Sequence, residues 1–239
     1  MLEKNVRRFF GREENGKIII ENDELNHMKN VLRLSVGNEI LVSLNDEYDY
    51  MCSIEKINKN SAICAIVGKQ KCAGNPTKNI VLFQGVAKGP KFEFIVQKAT
   101  EIGMTKIVPF ESEYCVGKIS DSKNNRMTAI VQNACKQCER TIMPVVEKTI
   151  DIKEVAEKIK DFDIVLFANE RAFDSEKIKN LEKYKNIGII VGAEGGFSQQ
   201  EKELLLNAGA VSVSLGRRIY RCETASVAMM SLVSILSGN

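Results

Sequence analysis

The chain has 239 residues, 44% of them hydrophobic and 27% charged, with a formal net charge of +3. These proportions fit a globular protein of one or two domains and exclude a disordered chain. No apolar stretch approaches the roughly 18 residues of a membrane span, and "MLEKNVRRFF" lacks the apolar centre of a signal peptide, so a cytoplasmic location is expected.

In chain order, the first 70 residues read mostly as β. "VRRFF" and "KIIIEN" are strand candidates, and "DELNHMKNVLR" is an expected helix with Asp23 as its cap. "EILVSLN", "YDYMCSIEKI" and "SAICAIVGKQ" follow as strands, parted by turn residues at Gly37-Asn38, Asn45-Asp46 and Asn58-Lys59-Asn60. Short strands at that spacing predict a small barrel. "KCAGNPTKN" is the expected linker, giving domains at 1–72 and 73–239.

Beyond the linker, strands and helices alternate. "IVLFQGVA", "KIVPF", "DIVLFANE", "NIGIIVG" and "AVSVSLG" read as strands. "KFEFIVQKATEIG", residues 121–140, "IKEVAEKIK", "SEKIKNLEKYK", "SQQEKELLLNAG" and "ETASVAMMSLVSIL" read as helices. That alternation predicts an α/β unit with a parallel sheet.

Several motifs are missing. The sequence contains no GxxxxGK[ST], and no GxGxxG follows the first α/β strand. His27 is the single histidine, on an apolar-spaced segment, and reads as structural. Cys135-Lys-Gln-Cys138 is a CxxC without a second pair or histidines nearby, so it reads as two helix-face cysteines and no metal is expected. Seven scattered cysteines fit reduced thiols.

Gly192-Ala193-Glu194-Gly195-Gly196 stands where a strand hands over to a helix. Ser198 and Glu201 have capping-box spacing, so a helix N-terminus is expected to point its free N–H groups at a ligand there. "SLGRRIYRCETA" ends another strand in Gly216 and then holds Arg217, Arg218 and Arg221 before Glu223, an arrangement suited to an anionic partner. A third strand ends in Asn169-Glu170-Arg171, and three such exits predict one pocket beyond the strand ends. Lys88 and Lys91, Gln97 and Glu101, and Arg140 recur at element ends or on one helix face, and read as a substrate-facing rim or as surface charge.

Together, "VGAEGGFSQQE", "SLGRRIYRCETA", "KGPKFEFIVQKATEIGMTKIVPF" and "NACKQCERTIMP" resemble the RsmE family of 16S ribosomal RNA uridine-N3 methyltransferases, of the SPOUT superfamily. "RRFF" and "HMKNVLRLSVGNEI" resemble that family's PUA-like RNA-binding domain. The resemblance covers both halves in order. It implies a C-terminal trefoil knot, a homodimer, ribosomal RNA or the small ribosomal subunit as partner, and S-adenosylmethionine held by Leu166–Glu170, Val191–Gly196 and Leu215–Arg221. Within those loops and just after them, Leu166, Phe167, Ala168, Val191, Gly192, Gly195, Gly196, Leu215, Gly216, Ile219, Arg221 and Thr224 are the implied cofactor residues. Leu215, Gly216 and Ile219 are to read the adenine, and the glycines are to let the cofactor approach the main chain.

Methyl transfer to uracil N3 needs no metal, because the sulfonium is already activated. It needs positioning, and a base or a stabilised anion. Arg218 and Arg221 are the candidates for holding phosphate or the uracil oxygens. Glu194 and Glu223 are candidates for accepting the proton or for bracing the loops. Arg7 and Arg8, with Lys88, Lys91 and Arg140, are the candidate grips on RNA phosphate. The family usually has proline at Ala193 and often at Arg217, and acidic residues at Asn133 and Lys136. The first two departures are expected to loosen the loops, and the last two put acid catalysis from that helix in doubt. A non-catalytic RNA-binding module, or a related methyltransferase acting on another base or a ribose, are the other readings.

Overall fold

The computed structural model describes residues 6–117, 122–170 and 178–239. It divides into two compact units: Met1–Asn75 with Cys135–Met143, and Pro76–Ala134 with Pro144–Asn239. The return of Cys135–Met143 to the first unit is not visible in chain order.

The first unit is a curled six-stranded sheet. Its strands are β1 (Arg8–Phe10), β2 (Arg12–Glu14), β3 (Lys17–Glu21), β4 (Glu39–Ser43), β5 (Tyr48–Ile57) and β6 (Ser61–Lys71). They pair in the order β1-β4-β5-β6-β3-β2. Alternation buries Ile18, Ile20, Ile40, Val42, Cys52, Ile54, Ala62 and Cys64 with Phe9 and Met28. The expected helix over 23–33 is shorter than its pattern. Helix α1 (Asn22–Asn26) gives way to a π-type turn at His27–Val31, and Arg33 closes the segment at φ 54°. Asp23 is not the cap: Glu21 holds that position without a side-chain bond, and Asp23 lies in the first turn. His27 stands edge-on to Phe9, with ring centroids 6.1 Å apart.

Two of the expected RNA grips are structural here. Arg8 donates to Ser43 Oγ at 3.1 Å and pairs with both oxygens of Asp49; the two side chains are 8% and 6% exposed. Arg140 is 1% exposed and donates from Nε to the Ile142 carbonyl at 2.8 Å. Burial lowers its pKa, the cost of a guanidinium withdrawn from water. Neither presents a cation to a ligand. Lys136 pairs with Glu24 at 2.6 Å, and Glu24 also accepts the Phe10 N–H at 3.0 Å.

The second unit is a parallel sheet of β7 (Asn79–Gly85), β8 (Lys106–Glu111), β9 (Val145–Val146), β10 (Ile150–Asp151), β11 (Ile164–Ala168), β12 (Asn186–Val191) and β13 (Val211–Val213). The order is β10-β8-β7-β12-β11-β13, with β9 also on β8. Pro109 falls between the two short partners of β8, which pair at Lys106–Ile107 and at Phe110–Glu111, so its missing N–H interrupts little. One sheet face packs Phe83, Phe110, Phe167 and Ile190 against α4 (Ile152–Lys158) and α5 (Gln199–Asn207). The other lies under α2 (Pro90–Ile102) and α6 (Cys222–Ser237), and α3 (Ser122–Gln137) completes the helices. Gly103 stops α2 in the left-handed region at φ 98°. Among the described residues, no helix is long and apolar enough to cross a membrane.

The expected helix at 175–185 is not formed in its described part, while 175–177 lie outside the described residues. A single 3₁₀ turn spans Leu181–Lys183 after Asn180 at φ 64°. Lys78 takes the Glu182 and Tyr184 carbonyls at 2.6 and 2.9 Å, groups that a continuing helix would need.

The buried Arg8–Asp49 pair yields a direct test. Asp49→Ala leaves the guanidinium uncompensated and is expected to destabilise the protein by about 3–5 kcal/mol in urea unfolding. A loss under about 1 kcal/mol, the value of a surface pair, contradicts the structural assignment.

Candidate active site

Three adjacent parallel strands, β12, β11 and β13, end at one cavity of about 450 Å³. From β11 come Ala168, Asn169 and Glu170; from β12, Val191 and the loop Gly192–Phe197; from β13, Val213, Leu215, Gly216 and Arg218–Arg221. Lys91, Lys202, Cys222 and Ala225 complete the wall. Parallel strands end together, so residues far apart in sequence meet beyond their carboxyl ends. Arg171, the last residue of the third expected exit, lies outside the described residues.

Not every expected residue reaches the cavity. Leu166 and Phe167 are 0% exposed in the sheet core; Phe167 packs edge-on to Phe197 at 4.9 Å, behind the wall. Thr224 is exposed on α6 and Glu223 sits in its first turn; neither lines the cavity. The α5 N-terminus does not point there either. Its capping box forms as expected, with Glu201 N on Ser198 Oγ at 3.4 Å and Ser198 N on Glu201 Oε2 at 2.9 Å. Ser198, Gln200 and Glu201 border a separate hollow with Glu111, Ser112, Glu113 and Asp151. The other Glu201 oxygen accepts the Glu113 N–H at 2.7 Å, so the cap also anchors the segment after β8.

The glycines mostly admit the protein's own chain. A Cβ on Gly192 would stand 2.8 Å from the Phe197 ring, and one on Gly195 would stand 2.4 Å from Tyr114 Cβ. Gly85, at the end of β7, shows the same crowding, 2.4 Å from Ala193 N. Gly196 and Gly216 differ. Neither has a heavy atom within 4 Å of its Cβ position, and they are glycine for backbone reasons, at φ +67° and +109°. Ser214 Oγ holds the second turn by accepting the Gly216 N–H at 3.2 Å.

Glu194 and Lys91 tie the rim together. Glu194 Oε1 accepts the Lys88 N–H at 3.2 Å and Lys91 Nζ at 2.9 Å, linking the glycine loop to the start of α2. Burial pushes the Glu194 carboxyl up, but the bonds from Lys91 and from the Glu194 and Lys88 backbone outweigh it and the net shift is downward. Lys91, expected on an RNA rim, is raised by its bond to Glu194 and lines the cavity instead. The Glu223 backbone N–H holds that residue's carboxyl below its ordinary value, and the Cys222 thiol donates to Oε2 at 3.2 Å. Burial pushes that thiol up to about 12. Arg217, Arg218, Ile219 and Arg221 are exposed, as are Arg7 and Lys88. Gln97 is exposed, and Glu101 pairs with Lys98 at 2.9 Å.

Residues that sequence reasoning passed over include Gln84, Gly85 and Ser226. Asn169 ties two strand exits, with its N–H on the Val213 carbonyl at 2.8 Å and its amide on Ser212 Oγ at 3.0 Å. The available signal was "FQG", a polar side chain and a glycine interrupting a buried strand. Among the described residues, no group of three or more His, Cys, Asp or Glu is arranged to hold a metal ion. All seven cysteines are free, and Cys135 of the CxxC is buried, with its thiol pushed up to about 12.

Residues 74–234 match a family model described as an RNA methyltransferase domain, and 20–67 match an RNA methyltransferase PUA domain. The ribosomal RNA small subunit methyltransferase E of Mesomycoplasma hyopneumoniae is 32% identical, over 94% of this chain and 97% of its own. That of Bacillus subtilis is 28% identical, over 93% and 91%. The crystal structure of the Neisseria gonorrhoeae protein of the same name, bound to S-adenosylmethionine, superposes with a TM-score of 0.89 at 26% identity, covering 97% of this chain and 98% of the other.

Two measurements probe the loop. Gly195→Ala meets Tyr114 and is expected at the upper end of the roughly 1–3 kcal/mol of overpacking, whereas Gly196→Ala meets only backbone strain, about 1–2 kcal/mol. Thermal unfolding that ranks them the other way contradicts the close approach of Gly195 to Tyr114. The Glu194 carboxyl is depressed on folding, so its tether is intact above pH 4.5 and lost as pH falls through the lower folded value. The Lys88 amide resonance is expected to report that titration with a midpoint below 4.5; a midpoint above it contradicts the tether.

Proposed function

This chain belongs to the ribosomal RNA small subunit methyltransferase E family of RNA methyltransferases, and from that premise we propose that it methylates N3 of a uridine in 16S ribosomal RNA, using S-adenosylmethionine. The observation that carries this reading is the cavity at the carboxyl ends of β12, β11 and β13. It lies within the matched segment and combines glycine turns, carboxylates and arginines.

The donor set suits the cofactor. The volume of about 450 Å³ falls in the range of small-molecule sites. Glu170, at the exit of β11, supplies negative charge toward a sulfonium. The main chain of Leu215, Gly216 and Ile219, opened by the turn at Gly216, suits the adenine edge. When bound, S-adenosylmethionine supplies an activated methyl group, so the protein's own task is to position uracil and stabilise charge as the N3 proton leaves. Exposed Arg218 and Arg221 are assigned to the uracil oxygens or an adjoining phosphate. Glu194 acts as a brace, since two donors already occupy one of its oxygens. Glu223, held low by its own backbone N–H at the α6 N-terminus, braces that turn.

Residues 1–72 serve RNA binding and 73–239 the chemistry, with Arg7 and Lys88 left as phosphate grips. The knotted path of the family is supported by the close approach of Gly85 to Ala193 and of Gly195 to Tyr114. A homodimer is supported by exposed apolar side chains on two packed helices, Ile235 at 77% and Leu236 at 37% on α6 and Phe94 at 43% on α2. Free thiols suit a reducing cytoplasm.

Nucleoside mass spectrometry of 16S ribosomal RNA treated with the protein and S-adenosylmethionine is expected to show 3-methyluridine. Methylation of another base or of a ribose overturns the assignment. Arg221→Ala is expected to lower kcat by about a hundredfold while cofactor affinity by calorimetry stays within about threefold. An unchanged kcat removes Arg221 from the chemistry.

A further inference from the structure

Strand β7 is apolar and buried from Ile80 to Phe83, then carries Gln84, which is 0% exposed. By alternation Gln84 shares the sheet face of Ile80 and Leu82, the face covered by α2 and α6. An amide there is costly unless its polar atoms find partners. Gln84 Nε2 donates to the Gly85 carbonyl at 3.1 Å and to the Gly192 carbonyl at 3.3 Å. Its Oε1 accepts the Ser226 hydroxyl at 2.6 Å. Ser226 is also 0% exposed, and its oxygen lies 2.7 Å from the Cys222 carbonyl.

One side chain thus joins the end of β7, the glycine loop and the first turn of α6. Gly192 and Cys222 both line the cavity, whereas Gln84 stands behind the wall. The approach is possible because Gly85 lacks the Cβ that would stand 2.4 Å from Ala193 N. The chemistry selects an amide. A carboxylate has no hydrogen to give the Gly192 carbonyl, and an aliphatic side chain neither donates nor accepts.

We propose that Gln84, acting through Ser226, is a positioning residue of the methyl-transfer site: it holds the glycine loop at a set distance from the α6 N-terminus, where Arg221 stands. This role rests on the cavity being the S-adenosylmethionine site. The gap between the two segments governs cofactor affinity and the placement of Arg221.

The test uses the full-length protein, S-adenosylhomocysteine as a non-reactive probe in calorimetry, and steady-state methylation of 16S ribosomal RNA. Gln84→Leu and Gln84→Glu are expected to weaken the probe by about tenfold or more and to raise the cofactor KM in parallel. Ser226→Ala weakens it less, Ser226→Thr restores the hydroxyl and the affinity, and the Gln84→Leu/Ser226→Ala double variant binds no worse than Gln84→Leu alone, as coupled residues do. Lower thermal stability with unchanged affinity and KM makes Gln84 a core residue only and overturns the proposal. If Gln84→Leu does not fold, the serine pair decides, and equal affinity in Ser226→Ala overturns it. Wild-type protein that binds no probe sinks the functional reading itself, whereas wild-type binding with unmoved variants sinks only the role of Gln84.

Discussion

The close approach of two chain segments at the end of the sheet is the constraint on which the rest of the second unit depends. The end of β7 runs so near the loop after β12 that a single methyl group at Gly85 would collide with backbone nitrogen, and the same loop is pressed on by Phe197 and Tyr114. Backbone cannot yield as a flexible side chain can, so packing alone demands glycine at position 85, and Gly192 and Gly195 leave room for the Phe197 ring and for Tyr114. The cavity lies beside that contact, where Gly196 and Gly216 turn the chain without obstruction.

Buried polar groups reinforce this arrangement in both units. In the first, Arg8 and Asp49 satisfy each other within the sheet, and Glu24 holds both Lys136 and the Phe10 amide. In the second, Gln84, Ser226 and Glu201 each bind two segments at once. Such groups are expensive to bury, and their full satisfaction selects one arrangement of loops over its neighbours. Among the described residues, no buried side-chain nitrogen or oxygen lacks a partner.

The rim divides its charges by task. Glu194 and Lys91 neutralise each other and hold the loop shape, while the exposed arginines at 218 and 221 remain available to an anionic ligand. A carboxylate already engaged by a lysine and an amide is a poor proton acceptor, because those bonds stabilise its charged form and lower its basicity. The burden in the proposed reaction therefore falls on positioning and on positive charge near the uracil oxygens.

Local pattern determined much of this protein. Apolar runs specified the longer strands but not β2, β9 or β10, glycine and capping residues set the ends of α2 and α5, and three polar strand exits marked the pocket. Motif resemblance added a family that periodicity cannot supply. Tertiary structure alone decided which cations face solvent: Arg8 and Arg140 read the same as Arg7 in sequence, yet only burial beside Asp49 or among backbone carbonyls makes them structural. It also decided what the glycines make room for, and that Leu166, Phe167 and Thr224 stand off the cavity. The reason is physical. Side-chain period and propensity act over a few residues, whereas a close approach between Gly85 and Ala193, or a bond from Gln84 to Ser226, joins positions more than 100 apart, which only the folded sheet brings together.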